Sequence, residues 1–155
     1  MKRLGRWWFF RGHLRGHGLE IGALHTPFNV PRGVEVKYVD RLDADELRRH
    51  YPELADEHFV RVDIVDDAET LATVAEASQD FVIASHVLEH CENPIGAIRT
   101  WLRVLKPGGV ILLIVPDKRF TFDKVRPMTT LGMTGAHFFA AATIFSTSAR
   151  RRRAS

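Results

Sequence analysis

Apolar and polar positions follow two periods along the middle of the chain, and the switches between them lay out the elements. Gly18-Leu19-Glu20-Ile21-Gly22 is a short apolar run closed by glycine. Val34 to Val39 alternates Val34, Val36 and Tyr38 with Glu35 and Lys37 and stops at Asp40. Phe59 to Ile64 predicts a third strand, with Asp63, Asp66 and Asp67 at its end. Asp80 to Ser85 encloses Phe81-Val82-Ile83-Ala84, and Val110 to Val115 is an unbroken apolar run, the mark of a strand covered on both faces. Three stretches between the runs have the helical period. Asp43 to Leu54 opens with a capping residue followed three places later by Glu46. Ala68 to Ala77 puts Leu71, Val74 and Ala75 on one side. Pro94 to Leu105 follows the cap Asn93, places proline at the first position, and lines up Ile95, Ile98, Leu102 and Leu105. Lys106-Pro107-Gly108-Gly109 then stops it.

Strands alternating with helices at this spacing predict an α/β domain, a Rossmann-like parallel sheet of about five strands with flanking helices. Such sheets bind ligands at the carboxyl ends of their strands, near the point where strand order reverses. Here those ends carry Glu20 and Gly22, Asp40, Asp63, Ser85 and His86, and Asp117.

Composition narrows the reading without changing it. The chain has 155 residues, 45% hydrophobic and 26% charged, which suits one globular domain. Its one cysteine, Cys91, excludes a disulfide framework within the chain. The net charge of +3 hides an asymmetry. Lys2, Arg3, Arg6, Arg11 and Arg15 precede the first acidic residue, and Arg150 to Arg153 close the chain, leaving 13 basic against 19 acidic residues between Glu20 and Ala149. Basic ends on an acidic body argue against nucleic acid, which wants a basic stripe on a folded face. Trp7-Trp8-Phe9-Phe10 is too short for a signal-peptide core, and Phe138 to Phe145 is too short to span a bilayer. The expectation is a cytoplasmic protein with no transmembrane segment, and Trp7 to Phe10 reads as an aromatic cluster over the domain's own core.

The strand ends suggest a nucleotide-type ligand. A glycine after the first strand lets backbone approach a ligand closely. A carboxylate ending the second strand can accept both hydroxyls of a ribose, and Asp40 lies 18 residues after Gly22. Asp63 could accept from an adenine amino group beside apolar Ile64.

From Gly18 to Asp117 the chain resembles the class I S-adenosylmethionine-dependent methyltransferases. The resemblance rests on Leu19-Glu20-Ile21-Gly22-Ala23, on Val39-Asp40, on Asp63-Ile64, on Asp80 through His90, and on Leu105-Lys106-Pro107-Gly108-Gly109-Val110. It implies S-adenosyl-L-methionine as cofactor, with Glu20, Gly22 and Ala23 along the methionine part. Asp40 would hold the ribose, Asp63 and Ile64 would frame the adenine, and Ser85 and His86 would lie under the sulfonium. Glu89 and His90 would face a small-molecule acceptor. The sulfonium is already activated, so a base is needed only where the acceptor must lose a proton, and His90 or His86 is the candidate.

Two departures stand against that pattern. The family's further glycines, two and four residues after Gly22, are here Leu24 and Thr26, and the short join from Ala23 to Gly33 leaves room for at most one helical turn, beginning at Pro27. After Asp117 the usual last two strands are not evident, and Leu131 to Ser146 reads as one apolar helix. The expected organisation is therefore a basic and aromatic arm over 1–17, a cofactor-binding core over 18–117, and an atypical segment with a basic tail over 118–155. Val110 to Val115 would be an exposed edge, open to self-association. Such a truncated domain leaves open an alternative, a non-catalytic methyltransferase-like protein with weak or no cofactor binding. His86-x-x-Glu89-His90 also matches an inverted zinc-protease pattern, but His86 sits at a strand exit and no third ligand is evident, so no metal site is expected.

Overall fold

Four of the five apolar runs form strands of one sheet, and the Phe59–Ile64 run contributes only Ile64, shown by a computed structural model that describes residues 12–54, 56–117 and 119 and the backbone of 143–146. The strands are β1 (His17–Ile21), β2 (Glu35–Asp40), β3 (Ile64–Val65), β4 (Gln79–Ser85), β5 (Leu105–Ile114) and β6 (Thr143–Ser146). Their order is β3-β2-β1-β4-β5-β6. The first five are parallel, as expected for a Rossmann-like sheet, and β6 runs antiparallel to β5. That sixth strand corrects two expectations. Residues 143–146 belong to a strand rather than to an apolar helix, and β5 is not an open edge, because β6 takes up its outward backbone groups. The remainder of 120–142, the tail from 147 and the arm over 1–11 with Trp7 to Phe10 lie outside the described residues.

Alternation along the central strands divides the core in two. Val82 and Ala84 of β4, Ile111 and Leu113 of β5 and Leu19 and Ile21 of β1 pack on one face with Leu71, Val74, Ala97 and Trp101. Phe81, Ile83 and Leu112 face the other way, where Leu14, Phe28, Val30, Val34 and Val36 cover them. Leu14 is buried there, so the packed unit begins before Gly18.

The helices are shorter than the sequence predicts. Helix α1 (Ala44–His50) starts at Asp43 with the expected capping box, Asp43 taking the Glu46 amide and Glu46 taking the Asp43 amide, and Pro52–Leu54 continues as a 3-10 turn. Helix α2 (Pro94–Val104) keeps its Asn93 cap and its proline start. The Ala68–Ala77 stretch is a chain of turns instead of a helix. Leu71 and Ala77 have left-handed backbone, which interrupts a helix. Side chains from both ends supply the missing hydrogen bonds. Asp66 accepts from the Ala72 and Thr73 amides and the Thr73 hydroxyl, and Asp67 accepts from the Glu69 and Thr70 amides. From α2, the Trp101 indole N–H donates to the Ala68 carbonyl, and the Arg103 guanidinium donates to the carbonyls of Thr70, Leu71 and Val74.

No helix forms between β1 and β2 either. Phe28, Val30 and Val34 cover the sheet as an extended segment, tied down at Glu20. Glu20 is 2% exposed on the apolar side of β1, and its two carboxylate oxygens accept from the Phe28 N–H at 2.8 and 3.0 Å. Burial pushes its carboxyl up to about 7, with the Phe28 amide pulling the other way. The chain therefore carries a destabilising ionisation that is absent below the ordinary value of 4.5 and complete above about 7. Glu20→Gln keeps a carbonyl acceptor for Phe28 and removes the charge. Relative to the parent it should gain stability as pH rises through that window, by ~1–3 kcal/mol on the alkaline side. Thermal melts of both proteins across the window check this, and parallel profiles would contradict it.

Candidate functional site

The switch in strand order falls between β1 and β4, since the chain moves one way from β1 to β3 and the other way from β4 to β5. Ligands of such sheets sit outside the carboxyl ends at that crevice. The register shows what stands there. Asp40 pairs with Val65, Ile21 with both Val39 and Ala84, and Ser85 with Ile114. One step on from Ile21, Gly22 falls between Asp40 and Ser85. Val65, Asp40, Gly22, Ser85 and Ile114 thus follow one another across the rim.

Gly22 turns the chain out of β1. Its N–H donates to the Val39 carbonyl at 2.9 Å and its φ is +66°, a region where a side chain is strained. A Cβ there would stand 3.1 Å from Val87 Cγ2, so Val87 bounds the space above it. Ala23 is buried and starts a turn closed by the Thr26 N–H on its carbonyl. Leu24, where the family pattern has glycine, holds the glycine-like conformation all the same, at φ +49°.

Asp40 is half-buried, and its carboxylate accepts from the Arg41 N–H at 2.8 Å. Burial raises its carboxyl above the ordinary range, against the Arg41 and Leu42 amides and the Arg41 charge. The carboxylate retains lone pairs for further donors.

Asp63 is not at the rim. Strand β3 starts one residue after it, and its side chain accepts from the Tyr38 N–H at 3.0 Å, beside the middle of β2. Ile64 is half-buried against the main core. The acid at the carboxyl end of β3 is Asp66, whose N–H donates to the Asp40 carbonyl. Burial pushes the Asp66 carboxyl up, but the Thr73 hydroxyl and the amides of Thr73, Asp67 and Ala72 outweigh it and hold it low. Glu20 lies two residues short of the rim and is committed to Phe28.

Past Ser85 the chain bends sharply. His86 has φ +58°, its N–H donates to the Ile114 carbonyl, and Leu88–His90 is a single 3-10 turn. His86 and His90 therefore do not share an α-helical turn. His86 Nδ1 lies 3.3 Å from Glu89 Oε1, a pairing that sequence reasoning missed. Glu89 Oε2 is buried with no hydrogen-bond partner among the described residues, and so is His25 Nδ1, in the loop after β1. The His90 side chain is exposed. Burial, then the charges of Glu69, Asp67 and Glu89, push the Cys91 thiol up to about 11, which disfavours the thiolate. Asp117, after β5, is paired with the Arg119 guanidinium.

Comparison with known proteins gives the family. The family described as a methyltransferase domain matches residues 22–113, from Gly22 into β5. An uncharacterised protein of Methanocaldococcus jannaschii is 32% identical over 108 residues, covering 67% of this chain and 46% of that protein. A ubiquinone biosynthesis O-methyltransferase of Xanthomonas oryzae pv. oryzae is 34% identical over 85 residues, covering 54% and 33%. The chain thus spans less than half the length of these curated relatives. Among solved structures, a SAM-dependent methyltransferase from Aquifex aeolicus superposes with a TM-score of 0.52 at 14% identity, covering 76% of this chain and 66% of that one. A possible histamine N-methyltransferase from Thermotoga maritima gives 0.51 at 20% identity, covering 77% and 59%. These two share the fold.

Proposed function

The chain belongs to the methyltransferase-domain family, and on that premise we propose that it transfers a methyl group from S-adenosylmethionine to a small-molecule acceptor. The observation that carries this reading is the row Asp40, Gly22, Ser85 at the switch point. The residues present fit an adenosyl ligand. Gly22 has no side chain to obstruct the rim, and the half-buried Asp40 has acceptor capacity for a ribose diol. Val65, 55% exposed next to Asp40, offers the apolar edge for the purine that Ile64, packed inward, does not. Ala23 and the left-handed Leu24 shape the loop over the methionine part, which Glu20 supports from beneath through Phe28. Ser85 and His86 stand at the end of β4, next to the reacting centre.

When bound, the cofactor supplies a methyl group already activated by its sulfonium charge. The protein's share is then to hold the acceptor in line and to exclude water, and positioning of that kind is worth roughly 7–11 kcal/mol. The relative from Xanthomonas is named for O-methylation, and transfer to oxygen is the form of the reading taken up below. A cytoplasmic location belongs to the same proposal, because a nucleotide-derived cofactor is supplied from the cell interior. No helix among the described residues is long and apolar enough to cross a membrane.

The test is calorimetric titration of the full chain with S-adenosylhomocysteine. Saturable binding at one site is the expected result. No heat at millimolar ligand would favour the non-catalytic alternative.

A further inference from the structure

Two features beyond β4 remain unexplained by cofactor binding. One is strain: His86, a non-glycine residue, holds φ +58°, a costly conformation that persists where surrounding structure enforces it. The other is an unbalanced carboxylate. Glu89 places one oxygen 3.3 Å from His86 Nδ1, while its other oxygen is buried with no donor among the described residues. Its surroundings offer no relief, since Asp67 and Glu69 bring further negative charge to the same neighbourhood around Cys91. His86 itself is 60% exposed on its side chain, and only Nδ1 has a charged neighbour among the described residues. The strained bend thus sets an imidazole at the end of β4 with Nδ1 3.3 Å from a carboxylate and no partner at Nε2 among the described residues.

We propose that Glu89 is a positioning residue that fixes the Nδ1–H form of His86, so that His86 Nε2 takes the proton from a hydroxyl-bearing methyl acceptor. This rests on the methyltransferase reading above and narrows it to O-methylation. As the acceptor oxygen bonds to the methyl carbon, its O–H bond breaks and the proton passes to Nε2. The electron pair of the breaking C–S bond stays on sulfur, leaving a neutral thioether. An imidazole donating through Nδ1 to a carboxylate presents an acceptor at Nε2, which is the state this step requires. His90, exposed and without a carboxylate partner among the described residues, lacks that support.

The experiment uses the full chain with isotope-labelled histidine, read by nitrogen NMR at alkaline pH, where imidazoles are neutral. His86→Asn assigns the signal. The parent should show His86 protonated on Nδ1. Glu89→Leu, which also removes the orphaned oxygen, should move the proton to Nε2, and Glu89→Gln, whose amide oxygen still accepts, should restore the parent form. With catechol as the hydroxyl probe, His86→Asn should lose about 10²–10⁴-fold in kcat with KM little changed. An unaltered tautomer in Glu89→Leu overturns the positioning role. A tautomer change without loss of catechol methylation in His86→Asn overturns the role as base, as does a parent that binds S-adenosylhomocysteine but leaves catechol unmethylated. S-adenosylhomocysteine titrated into the same samples separates the two levels. Binding with either failure sinks this proposal alone, whereas no binding sinks the methyltransferase reading with it.

Discussion

Asp40→Ala is expected to weaken S-adenosylhomocysteine binding by about 10²–10⁴-fold while the far-ultraviolet spectrum stays unchanged. The magnitude follows from what the carboxylate would do. Two ribose hydroxyls donating to a charged acceptor are worth roughly 1.5–3 kcal/mol each, and every 1.4 kcal/mol is tenfold in affinity. The fold should survive, because Asp40 holds the sheet through its backbone. Its carbonyl accepts the Asp66 N–H, and its residue pairs with Val65 in the ladder. What the substitution removes locally is the acceptor for the Arg41 and Leu42 amides, on an exposed turn. Calorimetry on parent and variant makes the comparison, and an affinity within about threefold of the parent would remove the ribose role from Asp40, since it corresponds to less than one such hydrogen bond.

The largest effect on stability is expected at Trp101. It is fully buried at the centre of the main core, and its indole N–H donates to the Ala68 carbonyl at 2.8 Å. Removing the ring opens a cavity between α2 and the 68–74 turns, at a cost of ~3–5 kcal/mol. Within the turns only the Thr70, Leu71 and Val74 amides bond to nearby carbonyls, so the turns depend on α2 more than a helix would. Trp101→Ala should therefore take away much of a typical total of ~5–15 kcal/mol. Trp101→Phe keeps most of the apolar volume and loses the hydrogen bond, for ~1 kcal/mol or more. Urea unfolding midpoints rank the three proteins. Equal midpoints for Trp101→Ala and the parent would mean that α2 does not hold the turns.

How far the sequence shows all this depends on whether the determinants are local. Helix α2 is legible because Asn93, Pro94 and an apolar stripe specify it within a dozen residues. The α1 start is legible for the same reason, through Asp43 and Glu46. The 68–77 stretch misleads because Leu71, Val74 and Ala75 have helical spacing, while the groups that override it, Trp101 and Arg103, lie about 30 residues away. The third-strand acid is displaced for a related reason. Alternation from Phe59 onward suggests a strand ending near Asp63, but only Ile64–Val65 pairs with β2, and the rim falls at Asp66. Strand β6 was illegible because its partner is distant and it is only four residues long. In the site, Gly22, Asp40 and Ser85 were readable from their places after apolar runs. The Glu89 contact with His86 was not, because it depends on the left-handed bend that ends β4.

The central claim is that one rim row grips an adenosyl group, and amide chemical shifts during a titration with S-adenosylhomocysteine test it most directly. The account predicts that the largest changes fall on Gly22, Ala23, Arg41, Asp66 and His86, at the carboxyl ends of β1, β2, β3 and β4. Changes concentrated at the opposite ends of the strands, around His17, Glu35 and Asp80, would contradict it.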